Sequence, residues 1–547
     1  MFALLSVLPI IIVIVLLLAF KQRSSTSLLA GWAVAVLLAL TLWGLEPIHL
    51  AAWTVFGFLQ AFPILIIILG SVFLLNVLTE LNFIKTIGNG FKGISNDRRI
   101  QILLISWFFG AFLEGAAGFG TPGAIAAPLL VGLGVPTFFA AVASLIMEST
   151  PVLFGAVGVP TTAGFASISP VLVAQYGQEM TDAIFSQMNY RLAFSNMFIG
   201  TFVPFMMIAA VVSRDGRKQG IKEALPMIPL TLIAGLGFVI PQWLISHVGP
   251  QLPSLAGGLV GLVIFLFFVK RGIFVPKDIY RFQDDPIMED KAEDKTGISL
   301  LYAWSPYVLV IAVILLTRLP WFHLGPLFNP TPQMIQVHNI LGISGINWNF
   351  NPLWNPGIFP FIPIGMIYLL IRKADKSTWR KLCVGTIVQL KYPTIALFFA
   401  VALVQIMTNT NFSNPDGNLG SMLSEIAQFL SSHLGAIYLF VAPFIGILGA
   451  FVSGSHTVSN VMFMGLQVEA AQLLNLPITL ALVAQASGGA VGNMIAIHNI
   501  ISIVATTGHT GKEGELIRAT LVPMLIYTVV VAITFYILLA IGLPWIA

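Results

Sequence analysis

The position best equipped for chemistry in this 547-residue sequence is Glu114, the acid inside GAFLEGAAGFG at Gly110–Gly120. Glycines at 110, 115, 118 and 120 strip side chains from the surrounding backbone, so a ligand can approach the main chain closely. A carboxyl ringed by apolar groups is costly to ionise, which suits a proton-coupling group. Bracing of a chain break is its structural alternative. Glu148, in SLIMESTPVLFGAVG ahead of Ser149, Thr150 and Pro151, suits a proton or cation site, or equally a carboxyl that satisfies freed backbone donors. A third cluster, Ser453, Ser455, His456, Thr457, Ser459 and Asn460, places hydroxyl, imidazole and amide groups around one break. His456 would accept a proton or donate to a carboxylate, with a histidine satisfied by its neighbours as the alternative. Asn460, opening the next apolar run, is a candidate helix cap. A fourth cluster, Gln485, Ser487, Asn493, His498 and Asn499, adds neutral donors and one imidazole.

The proton-coupling candidates are therefore Glu114, Glu148 and His456. The substrate-binding candidates are Gly115, Gly118, Gly120, Thr121, Ser149, Thr150, Ser453, Ser455, Thr457, Ser459, Asn460, Gln485, Ser487, Asn493 and His498. Apart from Arg191, expected at a helix mouth, these segments lack basic residues. An anion would be held by hydroxyls, amides, histidine and the N–H groups of helix starts, where the dipole favours negative charge. Glu425, Glu469 and His509 stand near predicted helix ends and are assigned structural or interfacial places. No HxxxH, HExxH or DxxD spacing falls in an apolar segment, so neither a metal nor another cofactor is expected. The single cysteine, Cys383, excludes an internal disulfide and a cysteine metal cluster.

The elements that must position these residues are membrane helices. Only 9% of residues are charged and 57% are apolar, against roughly 25% charged in a soluble domain. The chain carries about 12 to 14 stretches near the ~20 residues that span a bilayer. Unbroken candidates lie near 2–20, 28–45, 51–78, 190–213, 224–245, 254–270, 301–317, 356–372, 392–409 and 518–545. The first has no basic residues before it and no cleavage site after it, and is expected to be retained. Two broken regions echo each other: GAFLEGAAGFGTPGA at Gly110–Ala124 and GAFVSGSHTVSNVMF at Gly449–Phe463. Each is followed by GAVG, at Gly155–Gly158 and Gly489–Gly492. Paired interrupted segments of this kind mark transporter binding sites.

Lys/Arg-rich loops mark the cytoplasmic side. They fall at 21–23, 85–99, 214–222, 270–295 and 372–391, whereas 319–355 has none and is expected outside. Threading puts the N-terminus outside and gives the two broken regions opposite orientations. The predicted organisation is an all-α polytopic protein with two inverted-topology repeats. Residues 1–270 form the first half, broken at about 100–165; 271–300 form a cytoplasmic linker; 301–547 form the second half, broken at about 444–505. Amphipathic pieces at Phe83–Ile94 and Thr378–Leu390 are expected as connecting arms in the interface plane. The basic excess sets topology and implies no nucleic-acid partner.

The run GAFLEGAAGFG followed by TPGAIAAPLLVGLG and PVLFGAVGVP closely resembles the lactate permease family, bacterial secondary transporters of lactate and glycolate. The likeness continues through GPQLP at 249–253, WSPY at 304–307 and GSHTVSN to GKEGELIR, across essentially the whole chain. It implies proton-coupled uptake of small monocarboxylates across the bacterial cytoplasmic (inner) membrane. It also implies kinship with transporters whose hairpin-bearing domain slides against a scaffold, often as a homodimer. The family pattern has Asp at His456, Ser at Val458, Lys at Asn493, Pro-Gln at Ile497-His498 and Asn at Glu148. These departures favour another hydroxy- or oxo-acid, or altered coupling. A sodium-coupled carrier using Glu148, Ser149 and Thr150 is the alternative within the class; an intramembrane enzyme is disfavoured, and a passive channel is a further alternative that saturable uptake against a gradient would exclude.

Overall fold

The computed structural model describes residues 2–20, 22–91, 93–118, 120–215, 220–283, 297–413, 419–507, 512–542 and 545. Among them, twelve helices are long and apolar enough to cross a membrane. Against the all-helical expectation there is one small exception. Strands Ile335–Val337 and Trp348–Phe350 pair antiparallel in the long non-basic segment and pack over Trp53 and Phe56.

Two units of like element order make the centre. In the first, Arg98–Ala116 is followed by Thr121–Gly132, which folds back on Leu103–Gly110 as a helical hairpin. Leu103–Gly110 is wound as a π-helix and is wholly buried. Thr137–Met147 then breaks at 148–158 before the helix that ends at Tyr176. In the second unit, Tyr438–Ser453 turns through Gly454 into His456–Leu473, again a hairpin. Ile478–Gly492 then breaks at Asn493–Ile495 before Ile497–Thr507. The units interlock reciprocally. The second hairpin's returning arm packs on the first unit's Gly155–Tyr176, and the first hairpin's returning arm packs on Ile497–Thr507.

The GAVG strings are not equivalent in space. The first lies inside a break, with Ala156, Val157 and Gly158 all left-handed, whereas the second closes a regular helix. Around the units, Lys376–Thr408 packs on Pro47–Glu80 and Ser24–Thr41, and Ile228–Ser246 packs on Pro253–Lys270. Thr378–Leu390 is therefore no separate arm: it is the exposed start of one 33-residue helix that continues without interruption to Thr408. The other expected arm is also corrected, because Phe83–Asn89 is largely buried and Phe83 packs between Tyr302 and Tyr368.

Residues 284–296 of the expected linker lie outside the described residues. Its start is clasped to the root of the first hairpin. Arg99 pairs with Asp97 at 2.6 Å and donates to the carbonyls of Glu223 and Asp278, and the Tyr280 hydroxyl donates to Asp215 at 2.7 Å.

Without water to drive helices together, membrane-depth packing rests on close backbone contact between small residues. Tyr438–Ser453 and Ile478–Gly492 cross so tightly that a Cβ on Gly488 would sit 2.6 Å from Pro443 Cα. Gly385, on the exposed part of Lys376–Thr408, has nothing within 4 Å. Gly488→Ala is expected to destabilise by about 1–3 kcal/mol through overpacking, and Gly385→Ala not at all. Thermal melting of the two purified variants in detergent tests this, and equal melting temperatures would refute it.

Candidate functional site

The first break exposes backbone carbonyls at a depth where lipid cannot satisfy them. Each of three successive ones is met by a side chain. Pro151 accepts from the Ser254 hydroxyl at 2.5 Å, Val152 from His456 Nδ1 at 3.1 Å, and Leu153 from Thr161 at 2.7 Å. Ser254 is itself held by Gln242, which accepts from Asn196, which accepts from Tyr527, in a buried chain reaching the last helix. Asn460 donates to the Pro160 carbonyl at 3.1 Å and lies 3.0 Å from His456 Nε2. This network assigns the proton to His456 Nδ1, so the imidazole bridges the two units as a neutral donor–acceptor.

Two expectations change here. The helix cap is Ser455, whose side chain accepts from the Val458 N–H, because the helix begins at His456; Asn460 lies one turn inside it. Arg191 sits within Gln178–Gly200, buried and 5.1 Å from the Trp545 ring, rather than at a helix mouth, because that helix starts well before it.

Between the units lies a cavity of about 750 Å³. From the first unit it is lined by Glu114, Gly118, Gly120, Val152, Gly155, Ala156 and Pro160, and from the second by Ser453, Gly454, Ser455, His456, Thr457, Asn493, His498 and Asn499. Residues that share no sequence neighbourhood thus meet on one wall. Among the helices that begin at it are Thr121–Gly132, His456–Leu473 and Ile497–Thr507. Glu114 is buried to 2% exposure, with Gly118 and Gly155 closing on its carboxyl. Ala156 and Val157, held at φ of 41° and 60°, cost about 1–3 kcal/mol each. Strain of that size persists where the surroundings over-determine it, here at the cavity wall.

Other candidates lie off this wall. Glu148 is fully buried behind the first hairpin; its Oε1 accepts from the Gly123 N–H at 3.2 Å, and it lies close enough to Glu114 to feel its charge. Ser149 donates to the Ile146 carbonyl, and Gly115 packs against the backbone of Ser254 and Leu255. Ser459 and Gln485 belong to a buried bonding chain with Gln467 and Tyr438 that ties the second hairpin to Ile478–Gly492. Thr121, Thr150, Asn460 and Ser487 also fall outside the lining. Glu425 stands in the first turn of Met422–Leu434, accepting from the Gly420 N–H, and Glu469 near the end of His456–Leu473. His509 lies outside the described residues.

Sequence reasoning missed Arg23 and Tyr392, which line the cavity mouth, and the carbonyl partners Ser254 and Thr161. None carries a local signal. Arg23 reads as an ordinary loop cation, and its neighbour Ser24 meets Ser453 across 429 residues of chain.

The L-lactate permease family profile matches residues 2–542. The chain is similar to the L-lactate permease of Salmonella typhi, 31% identical over 97% of this chain and 94% of that one. It is similar to the glycolate permease GlcA of Escherichia coli (strain K12) at the same identity and coverage, 31% over 97% and 94%. Among solved structures, MtrF of Neisseria gonorrhoeae aligns over 96% of each chain, with 14% identity and a TM-score of 0.47.

A Cβ on Gly155 would collide with the Glu114 carboxyl. Gly155→Ala, whose backbone is extended and tolerates alanine, is expected to fold normally yet displace that carboxyl and cut transport about ten-fold or more. Melting temperature and labelled-substrate uptake, measured on one preparation, check both halves; unimpaired uptake would remove Glu114 from the working site.

Proposed function

Because the chain belongs to the L-lactate permease family, we propose that it imports lactate, glycolate or a related 2-hydroxy acid by proton symport, with Glu114 as the coupling carboxyl. The coarser properties are those of the family: a multi-pass transporter of the bacterial cytoplasmic membrane, not an enzyme, moving a small carboxylate. The observation that carries the finer reading is the meeting of three helix starts and one buried acid in a single cavity. Helix N-termini turn the positive end of the dipole toward a carboxylate, with the Gly123 N–H of the first start already taken by Glu148 and the Val458 N–H of the second by Ser455. The left-handed glycines Gly118 and Gly120 let Ala156, Glu114 and Asn499 close on the main chain at the cavity.

Coupling follows from electrostatics. An ionised Glu114 and a bound carboxylate would repel by about 3 kcal/mol at ~6 Å and an effective dielectric of ~20. Protonating Glu114 removes that repulsion, so proton and anion each raise the other's affinity, by linkage and by the same factor. Glu148, behind Gly123, is the second member of the proton path in this reading. His456 then acts by holding the break at Val152 in place, rather than by shuttling protons itself. Reciprocal packing of the two units supports an inverted repeat, with substrate alternating between faces as the units shift.

Labelled L-lactate uptake into proteoliposomes, driven by an inside-alkaline gradient without sodium, tests the coupling ion. Accumulation that a protonophore collapses is the expected result; uptake that requires sodium would overturn proton symport. Glu114→Gln is expected to abolish accumulation while retaining lactate counterflow, because the neutral amide mimics only the protonated carboxyl. Pronounced accumulation by that variant would exclude Glu114 as the coupling group.

A further inference from the structure

The cavity's mouth carries the fixed cation that its inner wall lacks. Arg23 is exposed at the cavity's edge, its guanidinium carbon 4.3 Å from the centre of the Tyr392 ring. Apart from His456 and His498, no other basic side chain among the described residues lines the cavity. A guanidinium lying over an aromatic face keeps its fork of N–H donors at its edge, available for bidentate pairing with a carboxylate. No hydrogen bond or ion pair engages the Arg23 side chain among the described residues.

The position is bonded to the second hairpin. Ser24, the next residue, donates to the Ser453 carbonyl at 2.9 Å, and Ser453 is the last residue of the second hairpin's first arm. Arg23 is thus tied to the tip from which His456–Leu473, one of the three anion-favouring helices, begins. Tyr392 and Glu513, which share the mouth, follow Lys391 and Lys512 in sequence, and basic residues mark the cytoplasmic side.

We propose that Arg23 is a second carboxylate subsite, at the cytoplasmic mouth, where the substrate's carboxylate pairs with the guanidinium between leaving the helix starts and entering the cytoplasm. Arg23 therefore sets affinity on the inward face and Tyr392 positions it. The inference rests on the transport reading above and adds a residue, a face and a direction to it.

The test uses the full chain in right-side-out and everted membrane vesicles. In everted vesicles, whose cytoplasmic face is outward, Arg23→Gln is expected to raise KM for L-lactate about five- to ten-fold with maximal rate within about two-fold. That is the size of one charge-assisted contact partly screened by solvent. Arg23→Lys, which keeps the charge but not the fork, should fall between, and KM in right-side-out vesicles should not move. An unchanged KM on the cytoplasmic face, or an equal rise on both, would overturn the subsite. If the parent protein moves no L-lactate at all, the transport reading fails separately. The subsite is then read without transport, by labelling Gln22→Cys with a thiol reagent in a Cys383→Ser background. Acetate should slow labelling, acetamide should not, and Arg23→Gln should abolish the difference; protection that survives Arg23→Gln would refute the proposal.

Discussion

Everything in this fold is arranged around carbonyls that a helix has let go. Residues 148–158 leave regular geometry at membrane depth, where an unpaired backbone group costs several kcal/mol. The Pro151, Val152 and Leu153 carbonyls are taken by Ser254, His456 and Thr161, from a flanking helix, the opposite unit and the same unit respectively. Three elements must therefore be in register before the break can exist. The chain from Tyr527 through Asn196 and Gln242 to Ser254 carries that requirement outward to the last helix.

The cavity follows from the same constraint. A break buried in protein leaves room beside itself, and helices that restart after a turn or break point their N-termini into that room. Two units, each a hairpin followed by a broken helix, supply three such starts on one wall. The positive ends of the dipoles then stand where a fixed inner cation would otherwise be needed. Glu114 sets the opposite sign against them. In the proposed symport, such a cavity links the two occupancies without any direct contact between substrate and proton.

Close packing makes this geometry rigid locally. Gly488 against Pro443 joins the second hairpin to its broken helix at backbone contact, and the Gln485–Gln467–Tyr438 chain fastens the same pair. Between the units, polar bonds from His456 to Val152 and from Asn460 to Pro160 stand beside close packing of Gly164 on Met464 and Gly123 on Ile503.

The class of the protein, the position of its helices and the two broken regions were legible in the sequence. Hydropathy over ~20 residues and the rarity of charge are averages that no tertiary contact reverses. Glu114, Gly118, Gly120, Ser453, Ser455, His456, Thr457, Asn493 and His498 were legible as small and polar residues inside apolar runs, and they line one cavity. Their division into cavity wall and internal brace was not. Ser459, Asn460 and Gln485 are the same residue types at the same kind of break, yet they satisfy neighbouring backbone and side chains. Nor could sequence place Arg23 at the mouth or Ser254 beneath Pro151, since each partner lies far away along the chain. Composition and local pattern determined that the chain crosses the membrane and where its helices fail. Only the tertiary structure decided which freed donors and acceptors meet each other and which remain for a ligand, because that depends on which distant segments dock.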